Sequence, residues 1–178
     1  MNIISVDVET SGLHPERNSI LSIGAVETGK PENTFYAECN AFQGARINDE
    51  ALRVNGFKRI DVINNPKRKS EAQIITDFID WVMRIDRNPF MLGMNVSFDY
   101  GFIKYAAERA EMRTPFNFRT LDLHTIAAVK LFLDKGKLPP PTLSLNEILL
   151  AVGLPKEPDP HNGLTGATCC YQAADKLI

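Results

Sequence analysis

Asp7 and Glu9 close a run, Asn2–Val8 and its next residue, in which Ile3, Ser5, Asp7 and Glu9 alternate with Ile4, Val6 and Val8. That period of two predicts a strand. On a strand, residues i and i+2 share one face about 7 Å apart. Two carboxylates therefore project side by side just before the turn-like Thr10-Ser11-Gly12. Like charges so placed repel, and a divalent cation is a natural counter-charge. The plainer alternative is a solvated strand end, and these two residues alone do not decide between the readings. Asp99, at a predicted helix start, and His161, ahead of the last helix, are further candidates for chemistry. Their plain structural explanations are a helix cap and a loop histidine beside Pro160.

The order of these residues resembles that of the DnaQ-like, or DEDDh, family of 3′–5′ exonucleases, which share a ribonuclease H-like fold. Its first motif, Asp-x-Glu-Thr-x-Gly-Leu, is matched by Asp7-Val8-Glu9-Thr10-Ser11-Gly12-Leu13. Its second, Asn-x-x-Phe-Asp, is matched by Asn95-Val96-Ser97-Phe98-Asp99. The third, His-x-x-x-x-Asp, starts at His161 but has Gly166 where the family places a metal-binding aspartate. Asp175 follows nine residues later, about 13 Å along a helix, too far to stand in. Glycine early in a helix also costs up to about 1 kcal/mol relative to alanine.

The resemblance implies that Asp7, Glu9 and Asp99 hold two Mg²⁺ or Mn²⁺ ions, with His161 as general base. It implies that Thr10, Gly12 and Leu13 line the terminal nucleotide's pocket. Phe98 either packs on that nucleotide or anchors its own helix, and Asn95 orients the strand-to-helix turn or the substrate backbone. Asp122 begins a helix and is expected to cap it, the alternative being a place near the site. The implied function is metal-dependent hydrolysis at the 3′ end of single-stranded DNA or RNA, releasing nucleoside monophosphates. Gly166 removes one anionic ligand, so weak activity, rescued by Mn²⁺, or none is expected. The alternative is a noncatalytic nucleic-acid-binding domain that retains the fold; a phosphodiesterase for nucleotides or very short oligomers is a third reading. Because relatives are homodimers, self-association is a further expectation.

The elements that must position these residues follow from the rest of the chain. Its 178 residues, 44% hydrophobic and 24% charged, suit one domain over residues 1–178. A net charge of −2 argues against a strongly basic coat, though not against a local basic patch. Three cysteines make no disulfide framework and suit a reducing compartment. With no apolar run near the roughly 20 residues of a membrane span, no membrane association and a cytoplasmic location are expected. Strands are predicted at 2–8, 18–26 and 34–39, joined by short polar turns as an antiparallel meander. Asn48 caps a short helix. Residues 57–69 read as a basic loop, either solvated or touching a phosphate backbone. Ser70 and Gln73 form a capping box, opening a helix broken at Asn88-Pro89. A strand at 90–94, a helix to about Met112, a strand at 116–121 and a helix at 122–133 follow. Residues 136–141 form a stiff proline loop. Ser144 and Glu147 form a second capping box, and a final helix runs to Leu177. The expected fold is α/β, with a mixed central sheet, antiparallel in its first three strands and parallel afterwards, and helices on both faces.

Overall fold

The structure, a computed structural model, describes residues 2–136, 142–159 and 162–178. The expectations for the proline loop at 137–141 and for His161 therefore lie outside the described residues. The first three strands are β1 (Ile3–Thr10), β2 (Ile20–Glu27) and β3 (Thr34–Asn40). They form the expected meander, with Asp7 opposite Gly24 and Glu9 opposite Ser22. Two short helices, α1 (Asp49–Val54) and α2 (Arg59–Val62), precede the two-residue β4 (Lys69–Ser70) and α3 (Glu71–Ile85). Next come β5 (Phe90–Gly93), α4 (Val96–Arg109), β6 (Leu121–Asp122) and α5 (Leu123–Lys135). The last helices are α6 (Leu145–Ala151) and α7 (Gly163–Leu177). The sheet order is β4-β3-β2-β1-β5-β6, with β4, β5 and β6 paired parallel to their neighbours.

Alternation along β1 divides the interior. Ile4, Val6 and Val8 face a core completed by α3 and α4, through Ile74, Phe78, Phe102 and Ile103. Ile3 faces a second core with Leu123, Ile148, Cys170 and Ala173 of α5, α6 and α7. Helices thus cover both faces, and the polar Ser5, Asp7 and Glu9 lie on the α7 side. Both capping boxes form as expected, at Ser70/Gln73 and at Ser144/Glu147. Leu143 and Ile148 are buried together, placed as a hydrophobic staple requires.

Two expectations are corrected. The stretch at 57–69 is not all loop, since it contains α2 and runs into β4. The strand expected at 116–121 shrinks to β6. Phe116 and Phe118 would share a face in a strand, yet Phe116 is 5% exposed and Phe118 73%. Side chains turn the backbone there instead, with Thr114 Oγ1 accepting from Phe116 N and Asn117 Oδ1 from Arg119 N.

Candidate active site

β5 ends at Gly93 and pairs with β1 only at Ile3, Ile4 and Ser5. Beyond Ser5 the edge of β1 is open, and a side chain fills it. Asp99, in the first turn of α4, accepts a hydrogen bond from Val8 N through Oδ1 at 3.0 Å. This bond brings Asp99 to the strand segment that carries Asp7 and Glu9. Asp99 is therefore not the helix cap. The cap is Asn95, exposed and left-handed (φ 55°, ψ 47°), whose carbonyl accepts from Phe98 N at 3.0 Å. Asn95 thus shapes the strand-to-helix turn. The sheet register also shifts between Glu9 and Thr10, an irregularity that re-aims side chains at a strand end.

Asp122 does more than cap its own helix. Oδ1 accepts from Thr125 N at 2.9 Å, and Oδ2 accepts from Val96 N at 3.1 Å, at the start of α4. One carboxylate therefore fixes the starts of α5 and of the helix that delivers Asp99. The second bond is tertiary, and no local pattern announces it.

Helix α7 lies close against the other side of Asp7. A Cβ on Gly24 would fall 2.0 Å from the Gly163 carbonyl carbon, and one on Gly163 would fall 2.8 Å from Asp7 O. Backbone touches backbone there, which requires glycine on both sides. Ser5 Oγ donates to Ala167 O at 2.7 Å and fixes the helix register. Gly166 consequently faces the Asp7 carboxylate, and a Cβ on it would sit 2.4 Å from Asp7 Oδ2. The glycine read from sequence as a helix cost is thus a packing fit, because Asp7 occupies the space that a side chain would fill.

The electrostatics are those of crowded like charge. Burial, and then the charges of Asp99, Glu9 and Glu157, push the Asp7 carboxyl well above the ordinary range. Burial also raises Asp99, and Glu9 adds to the rise, against the Val8 N–H, which favours the ionised form. Glu157 was not anticipated. It lies in the connection before α7, its backbone N–H donating to Asn146 Oδ1 at 2.8 Å, and nothing in its loop setting signalled a role. The buried Ser22 hydroxyl, opposite Glu9 on β2, has no hydrogen-bond partner among the described residues. Oxygen donors of this kind suit Mg²⁺ or Mn²⁺. Among the described residues, no three His, Cys, Asp or Glu side chains are grouped so that they could hold a metal ion. The match to a metal is therefore one of donor chemistry and of carboxyls pushed upward by burial and by one another.

The residues expected to meet a nucleotide divide into two kinds. Thr10 is buried, its Oγ1 donating to Gly12 O at 2.7 Å and its carbonyl accepting from Asn55 Nδ2 at 2.9 Å. It holds the turn together. Gly12 is required by close approach, since a Cβ there would lie 2.5 Å from Asn18 Nδ2. Leu13, by contrast, is 74% exposed, and Phe98 is half-buried with its ring 4.9 Å from that of Phe102. Asn55, at the end of α1, was missed; its bond to Thr10 ties that helix to the motif. Of the basic stretch, Arg59 pairs with Asp49, Arg68 with Glu38 and Lys69 with Asp77. For these three the structural explanation holds.

The model of an exonuclease family, RNase_T, matches residues 4–173. A ribonuclease T of Marinobacter nauticus is 33% identical over 141 residues, covering 71% of this chain and 62% of the relative. The chain thus spans less than two thirds of that relative's length. Exonuclease I of E. coli, solved with a dT13 oligonucleotide, superposes with a TM-score of 0.78 at 17% identity. That match covers 99% of this chain and 40% of the other. A zinc-bound complex of E. coli exonuclease I with single-stranded DNA superposes with a TM-score of 0.75 at 18% identity, again over 99% of this chain and 40% of the other. At such identity the likeness is one of fold, the mixed-sheet ribonuclease H-like fold. No helix among the described residues is long and apolar enough to cross a membrane.

Proposed function

The chain belongs to the DnaQ-like exonuclease family, and from that premise we propose that it is a metal-dependent 3′–5′ exonuclease. In this reading it hydrolyses phosphodiester bonds at the 3′ end of single-stranded DNA or RNA and releases nucleoside monophosphates. The observation that carries the reading is the set of carboxylates around Val8: Asp7 and Glu9 on one strand end, and Asp99 bonded to the peptide between them. Asp7, Glu9 and Asp99 would hold two Mg²⁺ or Mn²⁺ ions, which when bound stabilise charge on the attacking and leaving oxygens. An aspartate at position 166 would require the Asp7 carboxylate to shift, since a Cβ there falls 2.4 Å from its Oδ2. His161, two residues ahead of Gly163 in sequence, would take the proton of the attacking water, a role suited to an imidazole with an ordinary pKa of about 6.5. Leu13 and Phe98 would pack against the terminal nucleotide, and the Gly12 backbone would let it approach.

Gly166 supports a second reading, a noncatalytic nucleic-acid-binding domain, because the position offers no carboxylate. Removing one charged metal ligand would cost on the order of 10²-fold or more in rate. The test is release of mononucleotides from a 3′-labelled oligonucleotide with Mn²⁺ or Mg²⁺, comparing the unmodified chain, Gly166→Asp and Asp7→Ala. Expected are slow release by the unmodified chain, faster release by Gly166→Asp and none by Asp7→Ala. Strand binding without release by either the unmodified chain or a metal-loaded Gly166→Asp protein would leave the noncatalytic reading standing.

A further inference from the structure

Beside the first motif lies a cavity of about 220 Å³, bordered by Gly12 and Leu13, and its arginines have no role in the reading above. Its walls are the turn after β1, with Gly12, Leu13, His14, Arg17 and Asn18, and the segment that carries Arg46 and Asn48. The two walls are fastened together by backbone and by buried amide. Arg46 N donates to Arg17 O at 2.8 Å and Asn48 N to Ser11 O at 2.8 Å. Asn18 Nδ2 donates to Arg46 O at 2.7 Å, while Asn18 Oδ1 accepts from His14 N at 2.9 Å. The backbones of Arg17 and Arg46 are thereby held as neighbours, and both side chains are exposed.

Their charges stand apart from those nearby. Arg53, Arg59 and Arg68 each meet a carboxylate at 2.5–2.7 Å. Arg46 has no ion pair among the described residues, and Arg17 has only its chain neighbour Glu16 at 3.8 Å, with both side chains about half exposed or more. A contact of that kind contributes little. Two arginines anchored on neighbouring backbones can bring both guanidinium groups to one phosphate, whose oxygens arginine engages through paired donors. Leu13, exposed on the same turn, adds an apolar surface suited to a base or sugar. Apolar surface and paired cations together match a nucleotide rather than a bare anion.

Resting on the exonuclease reading, we propose that Arg17 and Arg46 bind a backbone phosphate of the substrate strand, one nucleotide inward from the phosphodiester being cut. Gly12 lies three residues beyond Glu9 in sequence, at most about 10 Å of extended chain, so the cavity is within roughly one or two nucleotides' reach of the carboxylates, and the body of the strand would run over it. The cavity would thus set a minimum length for tight binding: a dinucleotide has only the phosphodiester at the carboxylates, and a longer strand reaches both.

The test is binding of a fluorescent long single strand and of a dinucleotide, by anisotropy in Ca²⁺ over a series of salt concentrations. The proteins are the unmodified chain, Arg17→Ala/Arg46→Ala and Arg17→Lys/Arg46→Lys. Because both side chains are exposed, the variants should fold, and coincident thermal melts check this. The alanine pair is expected to weaken long-strand binding several-fold and to lower the slope of log affinity against log salt by about 0.7, the share of the one phosphate that the pair neutralises. The lysine pair should keep most of that slope, and dinucleotide binding should not change. An unmodified chain that binds the long strand with the same affinity and slope as the alanine pair overturns the proposal and leaves the exonuclease reading intact. Inorganic phosphate that raises the melting temperature of the unmodified chain but not of the alanine pair, with strand binding equal, would make this a free-phosphate site and also overturn it. An unmodified chain that binds no strand overturns both readings.

Discussion

Two buried carboxylates, Glu71 and Asp99, are 2% and 3% exposed, and their surroundings are opposite in kind. Glu71 is saturated with donors. Arg109 grips it through Nε at 2.8 Å and Nη2 at 2.9 Å, while Ser19 Oγ and Ile20 N donate to Oε1 at 2.7 and 2.9 Å. Arg109 is itself held by Pro15 O and by the ring of Phe42. Asp99 has the Val8 N–H and, nearby, Asp7 and Glu9, more negative charge. The fold supplies a cation to Glu71, whereas among the described residues Asp99 meets backbone N–H groups and like charge. Carboxylates pushed upward by burial and by one another are a mark of a functional site.

The largest effect expected is at the compensated end. Glu71→Gln keeps the shape but removes the charge, leaving Arg109 without its counter-ion. Removing one partner of a buried pair costs about 3–5 kcal/mol. The Arg109 side chain is 24% exposed, so the low end, about 3 kcal/mol, applies. Urea unfolding should show the midpoint falling with the slope unchanged.

The same chemical change at the strand end, where like charges crowd Asp7, should have the opposite sign. In metal-free protein, Asp7→Asn relieves repulsion and should stabilise at neutral pH by on the order of 1 kcal/mol, one pKa unit being about 1.4 kcal/mol. The dependence on pH fixes the sign. The folded state of Asp7 holds a proton that the unfolded chain releases above about pH 4. Its contribution is therefore fully present below that pH and is lost as the pH rises through the folded-state value. Melts in chelator should show the unmodified chain losing stability relative to Asp7→Asn as the pH rises from about 4. Adding Mg²⁺ or Mn²⁺ should stabilise the unmodified chain more than the variant. A variant that melts lower than the unmodified chain throughout this range would mean that the carboxylate is already compensated.

Much of this contrast was legible in the sequence, though unevenly. Asp7 and Glu9 announced themselves because period-two spacing fixes the face of a strand, and that inference needs no tertiary knowledge. Asp99 was found by motif order, while its actual bond, to Val8 N, depends on β5 ending early. The Glu71–Arg109 pair left no trace, since its members are 38 residues apart and each looks like an ordinary helix-end charge. Gly166 stood out as a departure from the third motif and as a local helix cost, while its crowding against Asp7 is tertiary and left no trace in the sequence. The strand expected at 116–121 failed for a related reason: aromatic residues at 116 and 118 have strand propensity, but side-chain bonds from Thr114 and Asn117 turn the backbone.

Asp122 stands between the two extremes and gives the smallest expected change in stability. Among the described residues its carboxylate has no ion pair, and it accepts from the N–H groups at the starts of two helices and from the Thr125 hydroxyl. Asp122→Ala removes a cap, at a cost of about 1 kcal/mol, and frees the first turn of α4. Because Asp99 is in that turn, the effect on function should exceed the effect on stability. Affinity for Mn²⁺, read by titration calorimetry, should fall more than the melt alone implies. Asp122→Asn retains one acceptor oxygen, so it should recover the bond to Thr125 N or the bond to Val96 N but not both. Recovery of stability without recovery of metal affinity would place the loss at the start of α4, whereas equal recovery of both would reduce Asp122 to an ordinary cap of α5.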